Sequence, residues 1–202
     1  MKPNYAAASA QLYADAENPA LPPAEMQLDL SRTALVVIDP QIDVMSPQGR
    51  AWPAVGESVT ENNLVPNLVE LFAAAKKAGV VVAVSPHYYY CWDHRWRLQA
   101  PLEKFQHDSG VFDRKSPYTL EGFRASGADF LEEFKPYIED GETIVCSPHK
   151  LYGPQANDLK LQLGKRRVNQ VVIAGMLANM CVESHMRDLL EAGFEVAVVR
   201  DA

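Results

Sequence analysis

The 202-residue chain has a formal net charge of -7 and an isoelectric point near 5.2, so it lacks the basic field that nucleic acid needs, and a small molecule or another protein chain is the expected partner. Hydrophobic residues at 48% and charged residues at 22% are values of one folded domain with a sizeable core. Three widely spaced cysteines exclude a disulfide framework or a structural zinc site, and no run nears the ~18 apolar residues of a membrane span, so a reducing cytoplasm is the expected compartment.

Residues 1–31 carry alanines and then Pro19, Pro22 and Pro23. They read as an arm laid over a surface or a partner subunit, or as a partly ordered tail, ahead of a domain over residues 32–202. Ala34 to Ile38 is a short β-branched run closed by Asp39-Pro40, which predicts a buried strand ending on a carboxylate. Residues 44–62 read as a loop, with Pro47, Gly49, Pro53 and Gly56. A helix follows over residues 65–78: Leu68, Leu71, Phe72 and Ala75 share a face, and Gly79 is placed as its C-cap.

Val80 to Val84 is the second strand, and Ser85-Pro86-His87 leads from it into Tyr88, Tyr89, Tyr90, Trp92 and Trp96. Residues 98–141 give a weaker pattern, with a short helix over residues 129–137 and a turn at Asp140-Gly141. Glu142 to Cys146 is a third strand, followed by Ser147-Pro148-His149-Lys150, and Asn157 caps a helix over residues 158–167. Val171 to Ala174 is a fourth strand. After Gly175 the chain turns into a helix starting near Asn179, with Cys181 in its first turn and Gly193 at its stop, and residues 194–199 form a fifth strand. An edge strand with nothing to cover it is unusual, so a further helix is expected after Ala202.

This rhythm predicts an α/β fold, a doubly wound, mostly parallel sheet with helices on both faces. Such sheets bind ligands outside the carboxyl ends of their strands. Three of those ends carry reactive side chains: Asp39, Lys150 and Cys181. Cys181 is the candidate nucleophile, drawn towards thiolate by a helix N-terminus and by Lys150; Asp39 is the candidate general base, held by Lys150. Backbone N–H groups between Met176 and Cys181 offer an oxyanion hole. Taken singly, each residue has an ordinary explanation: a buried thiol is usually a small hydrophobe, an Asp before Pro a turn former, and a loop Lys a solvated charge.

The segments VVIDPQID (Val36 to Asp43), SPHKLYG (Ser147 to Gly153) and AGMLANMCVESHMRDLLEAGFEVAVVRDA (Ala174 to Ala202) resemble the isochorismatase-like cysteine hydrolase family, which includes nicotinamidases, carbamoyl-amine amidohydrolases and ureidoacrylate hydrolases. The resemblance implies a three-layer α/β/α fold and a catalytic triad on Asp39, Lys150 and Cys181. Gln41 completes the family's Asp-x-Gln pattern. A cis peptide near Met176-Leu177 is implied, with Leu177 and Cys181 N–H as oxyanion donors. Nicotinamidases in the family hold a metal through an Asp-x-His pair, where this chain has Ser85-Pro86-His87; no cofactor or metal is therefore expected, and His94 and His107 lack ligand-like spacing.

Expected substrate contacts are Gln41, His87, Tyr88, Tyr90, Trp92, His149 and Tyr152, the aromatic ones forming either a pocket wall or a core or subunit interface. Arg95, Arg97, Arg114 and Lys115 are placed either to take a substrate carboxylate or to lie solvated. Cys91 and Cys146 read as non-catalytic. The expected function is metal-independent hydrolysis of a small amide, carbamoyl or ureido C–N bond through an acyl-cysteine, by a homo-oligomer, dimer or tetramer. The alternatives are a vinyl-ether or other non-amide hydrolase, and a catalytically idle member that binds a metabolite or a protein.

Overall fold

The computed structural model describes residues 26–202, so the expected arm lies almost wholly outside the described residues. After a single 3-10 turn, Leu30–Arg32, the sheet is built from five parallel strands: β1 (Thr33–Ile38), β2 (Val81–Ser85), β3 (Ile144–Val145), β4 (Gln170–Gly175) and β5 (Glu195–Val198). Their order is β3-β2-β1-β4-β5. From β1 the chain winds outward through β2 to β3, then returns to pair β4 on the other side of β1, with Ile38 opposite Gly175. The topological switch thus lies between the ends of β1 and β4, where open α/β sheets form their ligand crevice.

Alternation along β1 fills both faces. Leu35 and Val37 join one apolar cluster and Ala34, Val36 and Ile38 the other, as a strand buried on both sides requires. Helices α1 (Ile42–Met45), α2 (Trp52–Glu61) and α3 (Leu64–Ala78) contribute to the first cluster; α6 (Leu159–Lys165) and α7 (Glu183–Glu191) contribute to the second. α3 agrees with the sequence pattern: Leu68 and Phe72 are fully buried, and Gly79, at φ 68°, donates its N–H to the carbonyls of Ala75 and Lys76.

The weak-pattern regions differ from expectation. Residues 44–62, read as loop, hold α2, because Pro53 falls in the first helical turn, where no N–H is needed, and Gly56 sits where a Cβ would strike the Trp52 ring. Residues 98–141 contain α4 (Pro101–Ser109) and only one turn of helix near the expected place, α5 (Lys135–Ile138). β3 shrinks to two paired residues, although the chain beyond it keeps an isolated bridge between His149 and His87.

Candidate active site

Asp39 follows β1 directly, with φ 50° and its N–H bonded to the Ser85 carbonyl. The left-handed turn stops the strand before Pro40 and leaves the carboxylate 2% exposed at the sheet edge. On the neighbouring strand, Gly175 has φ 111°, and a Cβ there would lie 2.1 Å from the Ile38 oxygen. Only glycine lets the backbones approach this closely, and the next residue exploits it: Met176 N–H bonds the Ile38 carbonyl at 3.1 Å. The Met176–Leu177 peptide is cis, as the resemblance implies. The chain then makes a π turn over Ala178–Val182, closed by Val182 N–H on the Leu177 carbonyl, and runs into α7. Cys181, 6% exposed, sits in that turn.

Asp39, His149 and Cys181 come together with one potential donor atom each, all within 4.8 Å of one another. His149 Nε2 lies 2.7 Å from Asp39 Oδ1, and both side chains are buried. Because a carboxylate only accepts, Nε2–H donates. The partner of Asp39 is therefore His149 and not the expected Lys150. Lys150 Nζ donates instead to Asp93 Oδ2 and to the Tyr88 carbonyl, each at 2.5 Å, and lies 4.5 Å from the centre of the Tyr90 ring. The reason is alternation: His149 pairs beside His87, so its ring turns in towards Asp39, and the next side chain points the other way.

The electrostatics of the thiol also differ from expectation. Burial, and then the negative charge and hydrogen bonding of Asp39, push the Cys181 thiol well above its ordinary value, while the backbone N–H groups of Leu177 and Cys181 pull the other way. The resting side chain is a thiol that donates to the Leu151 carbonyl at 3.7 Å with the Asp39 carboxylate close by. Cys146 is pushed up to about 12 by burial and then by the negative charge of Asp158. Behind the cluster, burial drives His87 well below its ordinary value and His185 down to about 4, so both rings are neutral near pH 7. His185 Nδ1–H donates to the Cys181 carbonyl at 2.7 Å, leaving Nε2 to accept from Ser85 Oγ at 2.8 Å, while Asn157 donates to that same oxygen. Ser85 thus steadies the helix that follows Cys181.

A cavity of about 170 Å³ opens on Asp39 and Cys181. Its wall differs from the expected one. Gln41 is fully buried and spends its amide on backbone, taking His87 N–H and donating to the carbonyls of His87 and Ala128. Tyr88 packs edge-on to Phe123 beneath Arg114; Tyr90 and Trp92 lie together at 5.1 Å, outside the cavity lining; Tyr152 is 41% exposed. His87 lies behind the wall, stacked at 4.5 Å on Phe112. The lining comes instead from Ala54 and Val55 on α2, Leu102, Phe105 and Gln106 on α4, and Phe112.

Phe112, at φ 62°, is pinned through its N–H by the buried Asp43 carboxylate, which also takes the Arg50 N–H. Gln106 is oriented by Tyr89, whose hydroxyl donates to Gln106 Oε1 at 2.8 Å. The sequence reading assigned Asp43, Asp93, Gln106 and His185 no role. One readable signal was the start of α4, where Pro101 opens the helix and Glu103 accepts the Ala100 N–H.

The Asp39, His149 and Cys181 donors are the one grouping among the described residues close enough to share a metal ion. Two tetrahedral zinc ligands at ~2.0 Å stand about 3.3 Å apart, whereas His149 and Asp39 are 2.7 Å apart in a hydrogen bond. The cluster as arranged does not fit a metal.

Comparison with known proteins agrees with this architecture. The Isochorismatase domain matches residues 33–202. The chain belongs to that family. Among curated proteins it is similar to ureidoacrylate amidohydrolase RutB of Variovorax paradoxus (strain S110), 27% identical over 186 residues, 89% of this chain and 71% of that protein. Among solved structures it resembles a cysteine hydrolase from Pseudomonas syringae pv. phaseolicola 1448A, with a TM-score of 0.69 at 19% identity over 90% of this chain and 76% of that one. It also resembles an isochorismatase family protein from Desulfovibrio vulgaris subsp. vulgaris str. Hildenborough, with a TM-score of 0.65 at 20% identity over 85% of this chain and 80% of that one. Family membership and the buried Asp39–His149–Cys181 cluster together mark the chain as a hydrolase. No helix among the described residues is long and apolar enough to cross a membrane.

Proposed function

We propose that this isochorismatase family member cleaves the C–N bond of a small amide, carbamoyl or ureido compound through an acyl-cysteine, without a metal ion, using Asp39, His149 and Cys181. The observation that carries the reading is the buried contact of a thiol, a carboxylate and an imidazole at the switch point. The raised thiol pKa is consistent with it: the proton needs somewhere to go only when the nucleophile attacks, and Asp39 is beside it.

As Cys181 Sγ bonds the substrate carbonyl carbon, the thiol proton passes to Asp39. Leu177 and Cys181 N–H receive the developing oxyanion, each well-placed donor being worth about 3 to 4 kcal/mol. Collapse expels the amine, which leaves with the proton from Asp39. Water then attacks the thioester, gives a proton to Asp39 and releases the acid, and Asp39 returns that proton to sulfur. His149 holds the carboxylate in the orientation both transfers need. Lys150 acts as a positioning residue, tying the β3 end to the turn that carries Asp93.

The name of the Variovorax relative supports a C–N bond as target. A second reading, a catalytically idle binding member, is favoured by the same protonated thiol. Ammonia release from a panel of primary amides, carbamoyl amines and ureas, run with wild type and Cys181→Ala, decides between them. Turnover by wild type that is lost in the variant is expected; turnover that survives Cys181→Ala would sink the covalent mechanism.

A further inference from the structure

We propose that the substrate is a compact, uncharged amide or urea with an apolar body, and that molecules bearing a carboxylate are excluded. The inference rests on the hydrolase reading for its chemistry, and on the cavity for its selectivity. About 170 Å³ of space is walled by aliphatic and aromatic carbon, and among the described residues no Lys or Arg lines it. The nearby cations are engaged elsewhere. Lys150 is bound to Asp93 and the Tyr88 carbonyl, and Arg50 to the Gly110 carbonyl.

The one charged lining residue is Asp39, at the reacting end. A substrate carboxylate entering here would lose its water, find no cation to replace it, and face a like charge. Gln106 is the remaining polar lining side chain. With its oxygen occupied by Tyr89, it presents Nε2 hydrogens, which suit one neutral acceptor on the substrate and do little for an anion's full charge. The mouth repeats the theme, for Phe105 is 57% exposed beside it. A small hydrocarbon group gains from these contacts what an anion would forfeit.

Two pairs matched in shape and differing in charge test this. Isovaleramide stands against malonamate, and isobutylurea against N-carbamoylglycine; each pair exchanges an isopropyl group for a carboxylate while keeping the scissile bond. With wild type, kcat/KM for the neutral member of the hydrolysed pair should exceed that of its anion at least a hundredfold. Val55→Lys, which puts an ammonium on the wall, should shrink that ratio at least tenfold.

Binding to Cys181→Ala, followed by ligand NMR, separates this inference from the hydrolase reading. If nothing is turned over but the variant binds the neutral members and not the anions, the selectivity stands and hydrolysis falls. Equal or faster turnover of an anionic member overturns the inference while leaving the hydrolase reading intact. Binding of neither class, or of the anions alone, also overturns it.

Discussion

Two strand ends of this sheet carry a buried thiol, Cys146 after β3 and Cys181 after β4, and burial raises both above the ordinary range. What separates them is company. Cys181 lies within 4.8 Å of the Asp39 carboxylate, which is itself held by His149, and opens on a cavity. Cys146 lies in the apolar cluster under α6. A low resting pKa is therefore not what marks the proposed nucleophile. The mark is a base that faces the same cavity as the thiol, supplied because β1 and β4 are neighbours whose ends meet at the switch point.

The most direct way to erase this difference is Asp39→Asn, which keeps the shape and removes the base. Cys181 then becomes a buried thiol with no base facing its cavity. We expect kcat to fall about a thousandfold, in the range of general acid–base catalysis, with the thermal midpoint within a few degrees of wild type. Full turnover in a folded variant would mean the proton goes elsewhere.

The next effect falls on the scaffold. In Gly175→Ala the new methyl would meet the Ile38 carbonyl at 2.1 Å, at a φ of 111° that L side chains rarely adopt. The β4 end would have to leave β1, taking the nucleophile's turn with it. A loss of about 3 kcal/mol or more is expected, read as a lowered urea midpoint. Wild-type stability would show that the two strand ends need not approach so closely.

A third effect, of about 3 kcal/mol, comes from the neutral imidazole under Cys181. His185 titrates near 4 in the fold against 6.5 when unfolded. Between those values the unfolded chain binds the extra proton, so stability is full above pH 6.5 and declines as pH falls towards 4. Buried His87 pushes in the same direction. Urea midpoints measured from pH 7 to 4.5 should fall in wild type and fall less in His185→Gln; parallel slopes in the two proteins would remove His185 from the explanation.

How far the sequence could be read follows from the same geometry. β1 and β4 were legible because short β-branched runs ended on Asp39-Pro40 and on Gly175, and those punctuation marks are what place the proposed base and nucleophile. α3 was legible through its apolar face and the Gly79 cap. The cavity wall was not, because α2 and α4 carry Pro53, Gly56 and Pro101, residues that read as breaks until their positions within the helix are known. The aromatic run beside β2 suggested, by composition, either a pocket wall or a core or subunit interface. Its Tyr88 and Tyr89 went into packing, and its one route to the cavity is the Tyr89 hydroxyl on Gln106.

The third member of the proposed triad was the hardest to read, and it gives the finest test of the comparison. Residue type favours Lys150, a permanent cation at the right strand end. Direction favours His149, because adjacent side chains of an extended segment face opposite ways, and the bridge to His87 turns the imidazole inward. His149→Ala should leave Asp39 unsupported and lower kcat about a hundredfold, within the span of contributions from acid–base machinery. Lys150→Met should loosen the Asp93 turn and lower kcat less than tenfold, because its ion pair, though mostly buried, holds a wall and not the base. Kinetics of both variants on one substrate settle the order. If Lys150→Met is the more damaging in kcat at unchanged KM, the ammonium reaches Asp39 during turnover, and the hydrogen bond from His149 is a feature of the resting site alone.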